Sequence, residues 1–381
     1  MNRDNFDDLR PYHDDEINSA MQRIADNPLI SKVADFLYPD VQIADLKNML
    51  RNITTIREFQ KQVMHHAINK IIKKSITNFS FNGFENLEKD RAYIFISNHR
   101  DILLDSALLQ IALDENGFNT SEITFGSNLM VSDFVVDIGK SNKMFKVIRG
   151  GTPRDFYKNS LRLSQYIRHA ITEKNESIWI AQRNGRTKDG NDKTDQGIIK
   201  MFAMSSDKVL NENILELNIA PMVISYEWET CDAAKLKELY VSRTQKYVKA
   251  PGEDLNSILT GITQFKGNVH IEITQPLKDE ELVGLKNMDK HEMYNYITNL
   301  INTRIHTNYK FWKTNYIAFD IENNSTEYLN KKYTKSDLES FVDRMENTIN
   351  KIEGNKSDIK SIYLGIYSNP IKNIKRNNYI K

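Results

Sequence analysis

The segment Ile96-Ser97-Asn98-His99-Arg100-Asp101-Ile102-Leu103-Leu104-Asp105 sets a histidine just past an apolar run and two carboxylates at the start of a helical pattern. A histidine whose ring is held by a carboxylate has a fixed tautomer and raised basicity, which is what taking a proton from a hydroxyl requires. Asp101 and Asp105 are four apart and share a helix face, so either can be that carboxylate. Read structurally, the same residues are a capping segment with Asp101 an exposed acid at a helix N-terminus.

Two further segments carry anion chemistry. In Lys146-Val147-Ile148-Arg149-Gly150-Gly151 an arginine leaves a strand into a two-glycine turn. Glycine permits close approach of a ligand, and the guanidinium fork matches phosphate oxygens. In Ile180-Ala181-Gln182-Arg183-Asn184-Gly185-Arg186-Thr187-Lys188 three cations flank Gly185 directly after an apolar strand. Loops at the carboxyl ends of strands are where α/β sheets bind ligands. Three cations in one loop repel one another until an anion arrives. A solvated basic hairpin is the plain alternative. Ala220-Pro221-Met222-Val223-Ile224-Ser225-Tyr226-Glu227 reads as a buried strand with a proline at its start, tolerable there or at an edge.

Other chemistries lack their residues. There is no Gly-x-Ser-x-Gly elbow, no P-loop and no His-Glu-x-x-His. His65-His66 are adjacent, and Asp189, Asp192 and Asp195 lack calcium-loop spacing, so no metal site is indicated. Cys231, the single cysteine, sits among acids that do not depress its pKa, and it excludes an intrachain disulfide, in keeping with a reducing compartment.

The elements that must position these residues follow from periodicity. Residues 14–75 read as helical, broken at Pro28 and Pro39. Strands are predicted at 93–97, 123–126, 145–148, 177–181, 219–226 and 269–273, alternating with helices at 102–113, 156–171 and 198–210. A capping box from Ser336 to Glu339 opens a helix that Gly354 ends. The expectation is an α/β fold with a substantially parallel sheet over 76–285, a helical subdomain over 1–75 and a helical extension over 286–381.

The 381 residues carry 52 Lys+Arg against 51 Asp+Glu. That balance hides an uneven distribution: 7 bases against 11 acids in residues 1–60, but 14 against 6 in residues 140–200. A local basic excess favours a small anionic ligand over nucleic acid. No apolar run reaches the ~20 residues of a membrane span, and the start has no signal-peptide pattern, so a soluble cytoplasmic protein is expected. The last residues, from Lys360 to Lys381, interleave bases with Ile and Tyr; they suit a membrane surface, a tail packed on the core or a frayed end.

Taken in order over roughly residues 80–280, these segments resemble the glycerol-3-phosphate/lysophosphatidate acyltransferase superfamily. Asn98-His99-Arg100 matches its first block, Phe145 to Arg149 its second, Gly185-Arg186-Thr187 its third and Pro221 to Tyr226 its fourth. The family's His–Asp spacing lands on Leu104, and Asp105 is taken as the acid; Asn184 stands where the family has glutamate. The resemblance implies a glycerolphosphate-acyltransferase-like mixed sheet flanked by helices. It implies His99 as general base with Asp105, and a substrate site of Asn98, Arg100, Arg149, Arg183, Gly185, Arg186 and Lys188. Its reaction passes an acyl group from acyl-CoA or acyl carrier protein to glycerol-3-phosphate or lysophosphatidate at a membrane surface, with no metal or bound cofactor. Keeping water out would require an apolar groove, to which the N-terminal helices and Tyr309-Lys310-Phe311-Trp312 are candidate contributors. The rival readings are a thioester hydrolase using the same His–Asp pair and a non-enzymatic binder of anionic lipid.

Overall fold

The computed structural model describes residues 3–376. Its apolar runs pair into one seven-stranded sheet, in the order β1-β7-β6-β2-β5-β3-β4. The strands are β1 Ile76–Asn82, β2 Ile94–Ser97, β3 Glu122–Gly126, β4 Met144–Val147, β5 Ile178–Ala181, β6 Ile219–Tyr226 and β7 Gly267–Ile273. β6, β2, β5, β3 and β4 run parallel, whereas β7 is antiparallel to β6 and β1 runs alongside β7. The fold is therefore α/β with a mixed sheet flanked by helices. β2 and β6 are buried along their whole length, as strands covered on both faces must be.

Several elements depart from the sequence expectation. Pro221 lies in the third position of β6, a central strand. Its carbonyl accepts from Thr274 N at 2.9 Å, so its ring nitrogen also faces the β7 side, just past that strand's end. No ladder bond to β2 is lost, which is how the proline is tolerated. β1 has no counterpart among the predicted strands. Its polar residues alternate with Phe79 and Phe81, and it sits at the sheet edge where only one neighbour rewards it. The single helix expected over 198–210 is two, Gln196–Ala203 and Leu210–Leu215. The Lys335–Asn350 helix is capped by Thr334 with Asp337, not by Ser336 with Glu339. The helices Asp232–Val241 and Glu253–Thr263 likewise have no counterpart in the periodicity reading.

The helices of residues 14–75 break after Asp26 and again at 38–42, next to Pro28 and Pro39. Ile17, Met21, Ile24, Leu46, Leu50 and Phe59 form their own apolar cluster, which meets Phe134 of the sheet's covering layer. At the other end, the Lys356–Arg376 helix buries Ile359, Tyr363, Leu364, Tyr367 and Ile371. Of the three readings of the tail, packing on the core holds for this stretch; Tyr379, Ile380 and Lys381 lie outside the described residues. Among the described residues, no helix is long and apolar enough to cross a membrane.

Gly190 joins this last helix to the basic loop after β5. It has φ +75°, and a Cβ there would meet the Ile366 carbonyl oxygen at 2.2 Å. Gly190→Ala is expected to destabilise the fold by about 2 kcal/mol or more, measured by urea denaturation.

Candidate active site

The parallel strands end on one edge, and that edge carries every predicted site segment: 98–105 after β2, 182–190 after β5 and 148–151 after β4. β2 and β5 are neighbours, so the first two segments touch directly. Gln182 N donates to Ser97 O and Thr187 N to His99 O, both at 2.7 Å.

His99 lies in the coil between β2 and the Leu104–Glu115 helix. Its Nδ1 is 2.8 Å from Asp105 Oδ2. Asp105 is completely buried. Oδ2 also accepts from the backbone N–H groups of Arg100 (2.6 Å) and Asp101 (2.9 Å), and Oδ1 accepts from the Tyr226 hydroxyl (2.8 Å). A carboxylate that accepts from Nδ1 leaves Nε2 as the basic nitrogen of the ring. Burial and the Asp105 charge push the Tyr226 hydroxyl well above its ordinary pKa, so it stays a donor. Trp179 packs edge-on to the imidazole, with centroids 5.5 Å apart.

Of the two aspartates, Asp105 is the one in contact with the imidazole. Asp101 Oδ1 accepts from the N–H groups of Leu103 (3.0 Å) and Leu104 (2.9 Å), capping the helix. Asp105 takes the histidine.

Asn98 and Arg100 face the interior. Asn98 extends the sheet past β2: its Oδ1 accepts from Ile224 N at 2.8 Å, and its Nδ2 donates to Ile224 O at 3.0 Å. Arg100 has no solvent exposure. It pairs with Asp192 at 2.6 Å and Glu229 at 3.1 Å, while its carbonyl accepts from Lys235 Nζ at 2.7 Å and Thr230 Oγ1 at 3.0 Å. Burial alone would lower the guanidinium pKa, but Asp192 and Glu229 outweigh it and hold Arg100 firmly protonated. Both side chains shape the backbone around His99 and are directed away from the solvent-facing edge.

The remaining cations divide. Lys188 is neutralised by Glu238 at 2.5 Å. Among the described residues, Arg183, Arg186 and Arg149 have no carboxylate within ion-pair distance. Arg186 Nη1 is buried without a hydrogen-bond partner, next to Cys231. Gly185, at φ +75°, has nothing within 4 Å of a Cβ position, so the loop is open above it. Arg149 projects from β4, three strands from β2, or about 14 Å. Its guanidinium leans over Gly126 at the end of β3, and so toward β5. Cys231 is buried and its thiol is pushed up by burial and by Asp101, the reverse of an activated nucleophile.

Beside the site, a cavity of about 300 Å³ lies between the N-terminal helices and the Leu104–Glu115 helix. Ile56, Met64, Ile68, Leu103, Ala107 and Ile111 supply much of its apolar wall. From Leu103 to Asp114 it follows the helix for about 16 Å. Its wall includes the one π-helical turn among the described residues, Gln60–Met64, a feature common at functional sites. The stretch Tyr309–Trp312 is elsewhere: Tyr309 packs under Arg100, and Trp312 Nε1 donates to Ser225 O.

Sequence reasoning missed Tyr226, Glu229, Asp192 and Lys235 as parts of this assembly. Asp192 is visible in the sequence only as one acid in a series that fits no calcium loop, and Tyr226 only as the end of the fourth matched segment; Glu229 and Lys235 sit in segments with no motif of their own. Among the described residues, no group of His, Cys, Asp and Glu side chains gathers that would hold a metal ion.

No protein-family model and no curated protein matches the chain. Among solved structures, it is similar to the 1-acyl-sn-glycerophosphate (LPA) acyltransferase PlsC from Thermotoga maritima, with 12% identity and a TM-score of 0.35 over 75% of this chain and 91% of that one.

Removing Arg100 leaves buried Asp192 without a cation and Glu229 with Lys235 alone. Arg100→Ala is expected to cost about 3–5 kcal/mol in urea denaturation. Arg100→Lys is expected to recover only part of this, because an ammonium cannot bridge Asp192 and Glu229 as a planar fork does.

Proposed function

We propose that the protein is an O-acyltransferase that moves a fatty acyl group from acyl-CoA or acyl carrier protein to a hydroxyl of glycerol-3-phosphate or lysophosphatidate. The observation that carries this reading is the His99–Asp105 pair at 2.8 Å on the same strand edge as the unpaired Arg183 and Arg186. His99 Nε2 takes the acceptor's hydroxyl proton as its oxygen attacks the thioester carbonyl. The C–S bond then breaks, and the departing thiolate receives the proton back from His99. Asp105 fixes the tautomer and stabilises the imidazolium. No acyl-enzyme is involved, and the chemistry asks for no metal or bound cofactor.

Arg183 and Arg186 hold the acceptor phosphate, with Arg149 reaching in across β3; Gly185 keeps the approach open. The apolar cavity starting at Leu103 takes the acyl chain, which keeps water from competing for the thioester. On this reading the reaction takes place at the cytoplasmic face of a membrane.

Product analysis by mass spectrometry, offering phosphate-bearing and phosphate-free acceptors with one acyl-CoA, tests the reading. His99→Ala is expected to lower turnover about 10²–10⁴-fold. Thioester cleavage that proceeds equally well without acceptor would identify a hydrolase instead. Arg186→Ala is expected to weaken phosphate-bearing acceptors about 10–100-fold and leave the others largely unaffected, as loss of a charged hydrogen bond should. Ala107→Phe narrows the cavity and is expected to shift preference to shorter acyl chains, read from the product distribution.

A further inference from the structure

The Glu253–Thr263 helix is amphipathic in the reverse sense. Ile262 packs inward, but the closest approach is made by small residues: Ser257 O accepts from Cys231 Sγ at 3.3 Å, and a Cβ on Gly261 would meet Asp101 Oδ2 at 2.3 Å. Its outward face carries Leu255 and Leu259, exposed by 60% and 52%. Surface helices ordinarily turn leucines inward. This one cannot, because backbone and small residues must sit close against the segment that caps the His99 helix.

Those leucines are not isolated. Every residue from 148 to 158 is exposed, including Phe156 (68%) and Tyr157 (61%) in the first turn of the Pro153–Thr172 helix. Val131 and Val248 are exposed by nearly four-fifths. The three segments meet: Asn128 Nδ2 donates to Asp254 Oδ2 at 3.3 Å, and Arg149 N donates to Ser127 Oγ at 3.1 Å. Single exposed apolar residues are ordinary, but a cluster on adjacent segments marks an interaction surface.

The charges around it select the partner. Among the described residues, Arg154, Lys158 and Lys246 have no carboxylate within ion-pair distance, whereas Lys249 and Arg243 on the same segments are paired with Asp254 and Asp358. Aromatic and aliphatic side chains among unpaired bases match the headgroup layer of an anionic bilayer, with apolar groups at acyl depth and bases at the phosphates. We infer that this rim, at the carboxyl edge of the sheet, is the face on which the protein lies on an anionic membrane. The inference takes from the acyl-transfer reading the reason a membrane should lie at this edge; the surface itself is independent of it. The Lys356–Arg376 helix, which buries Ile359, Tyr363, Ile366, Tyr367 and Ile371 against the core, is not the docking element.

The test is flotation of the full chain with phosphatidylcholine vesicles, with and without phosphatidylglycerol. Binding is expected only to the anionic vesicles and is expected to weaken with salt. Two variants separate the contributions: Phe156→Ser with Tyr157→Ser, Leu255→Ser and Leu259→Ser, and the charge reversal Arg154→Glu with Lys158→Glu. Each is expected to reduce partitioning at least about 30-fold. Both are expected to keep the wild-type melting temperature, and the apolar variant is expected to keep the wild-type turnover with a short-chain thioester and glycerol-3-phosphate. Wild-type protein that ignores anionic vesicles, or variants that bind them undiminished, would overturn the inference. So would sedimentation showing that the apolar variant converts a dimer to a monomer, since the face would then belong to a second copy. Absence of turnover with vesicle binding intact would remove the acyl-transfer reading and leave the docking face standing.

Discussion

A guanidinium with no access to water is tolerated only where carboxylates and carbonyls replace its hydration, and Arg100 is held this way. Asp192 comes from the loop after β5, Glu229 from the turn after β6, and Arg100 itself from the segment after β2. One side chain thus ties together three of the loops that make the strand edge. Lys235 then closes the cluster from below, pairing with Glu229 at 2.5 Å and donating to the Arg100 carbonyl. The consequence is local rigidity one residue from His99. The backbone on either side of the imidazole is held by the interior, so the ring can face the open edge while its neighbours Asn98 and Arg100 face in.

The same rigidity accounts for Asp105. One extra residue between a histidine and an aspartate would rotate the acid by about 100° if both lay on one helix. They do not. His99 is in coil, and the helix starts only at Leu104, so the extra residue changes the path of a loop and not the phase of a helix. That path is set by Asp101 capping the helix and by two backbone N–H groups converging on Asp105 Oδ2. With Tyr226 on its other oxygen, the carboxylate has four donors and no freedom to leave the imidazole.

Much of this was legible in the sequence, and the limits have physical causes. The central strands β2, β5 and β6 are continuous apolar runs, and such runs declare themselves. β1 and the Glu253–Thr263 helix do not, because an edge strand alternates with polar residues and a helix that presents leucines outward has the wrong pattern for its position. Single site residues such as His99 and Arg186 stand out through type and context. Their partners did not: Tyr226, Asp192 and Glu229 reach the site through sheet order, and sheet order is not written in local spacing. Arg100 was misleading for the same reason, since a cation beside a catalytic-type histidine reads as a ligand contact until its two buried carboxylates are seen.

Sheet polarity also explains how a chain with almost no net charge has a strongly basic middle. The bases of residues 140–200 fall on both edges of the parallel strands. At the amino edge several are matched: Lys143 pairs with Glu176 at 2.8 Å, Lys174 with Glu122, and Arg162, along the next helix, with Asp8 from the acidic N-terminal segment at 3.0 Å. At the carboxyl edge, Arg149, Arg154, Lys158, Arg183 and Arg186 have no such partners among the described residues. The acids that balance the total are therefore placed where they stabilise the fold, and the field they leave uncancelled points out of the edge that carries His99. An anion approaching that edge meets a positive potential before it meets any specific contact, and the potential is felt only within about a Debye length of the surface.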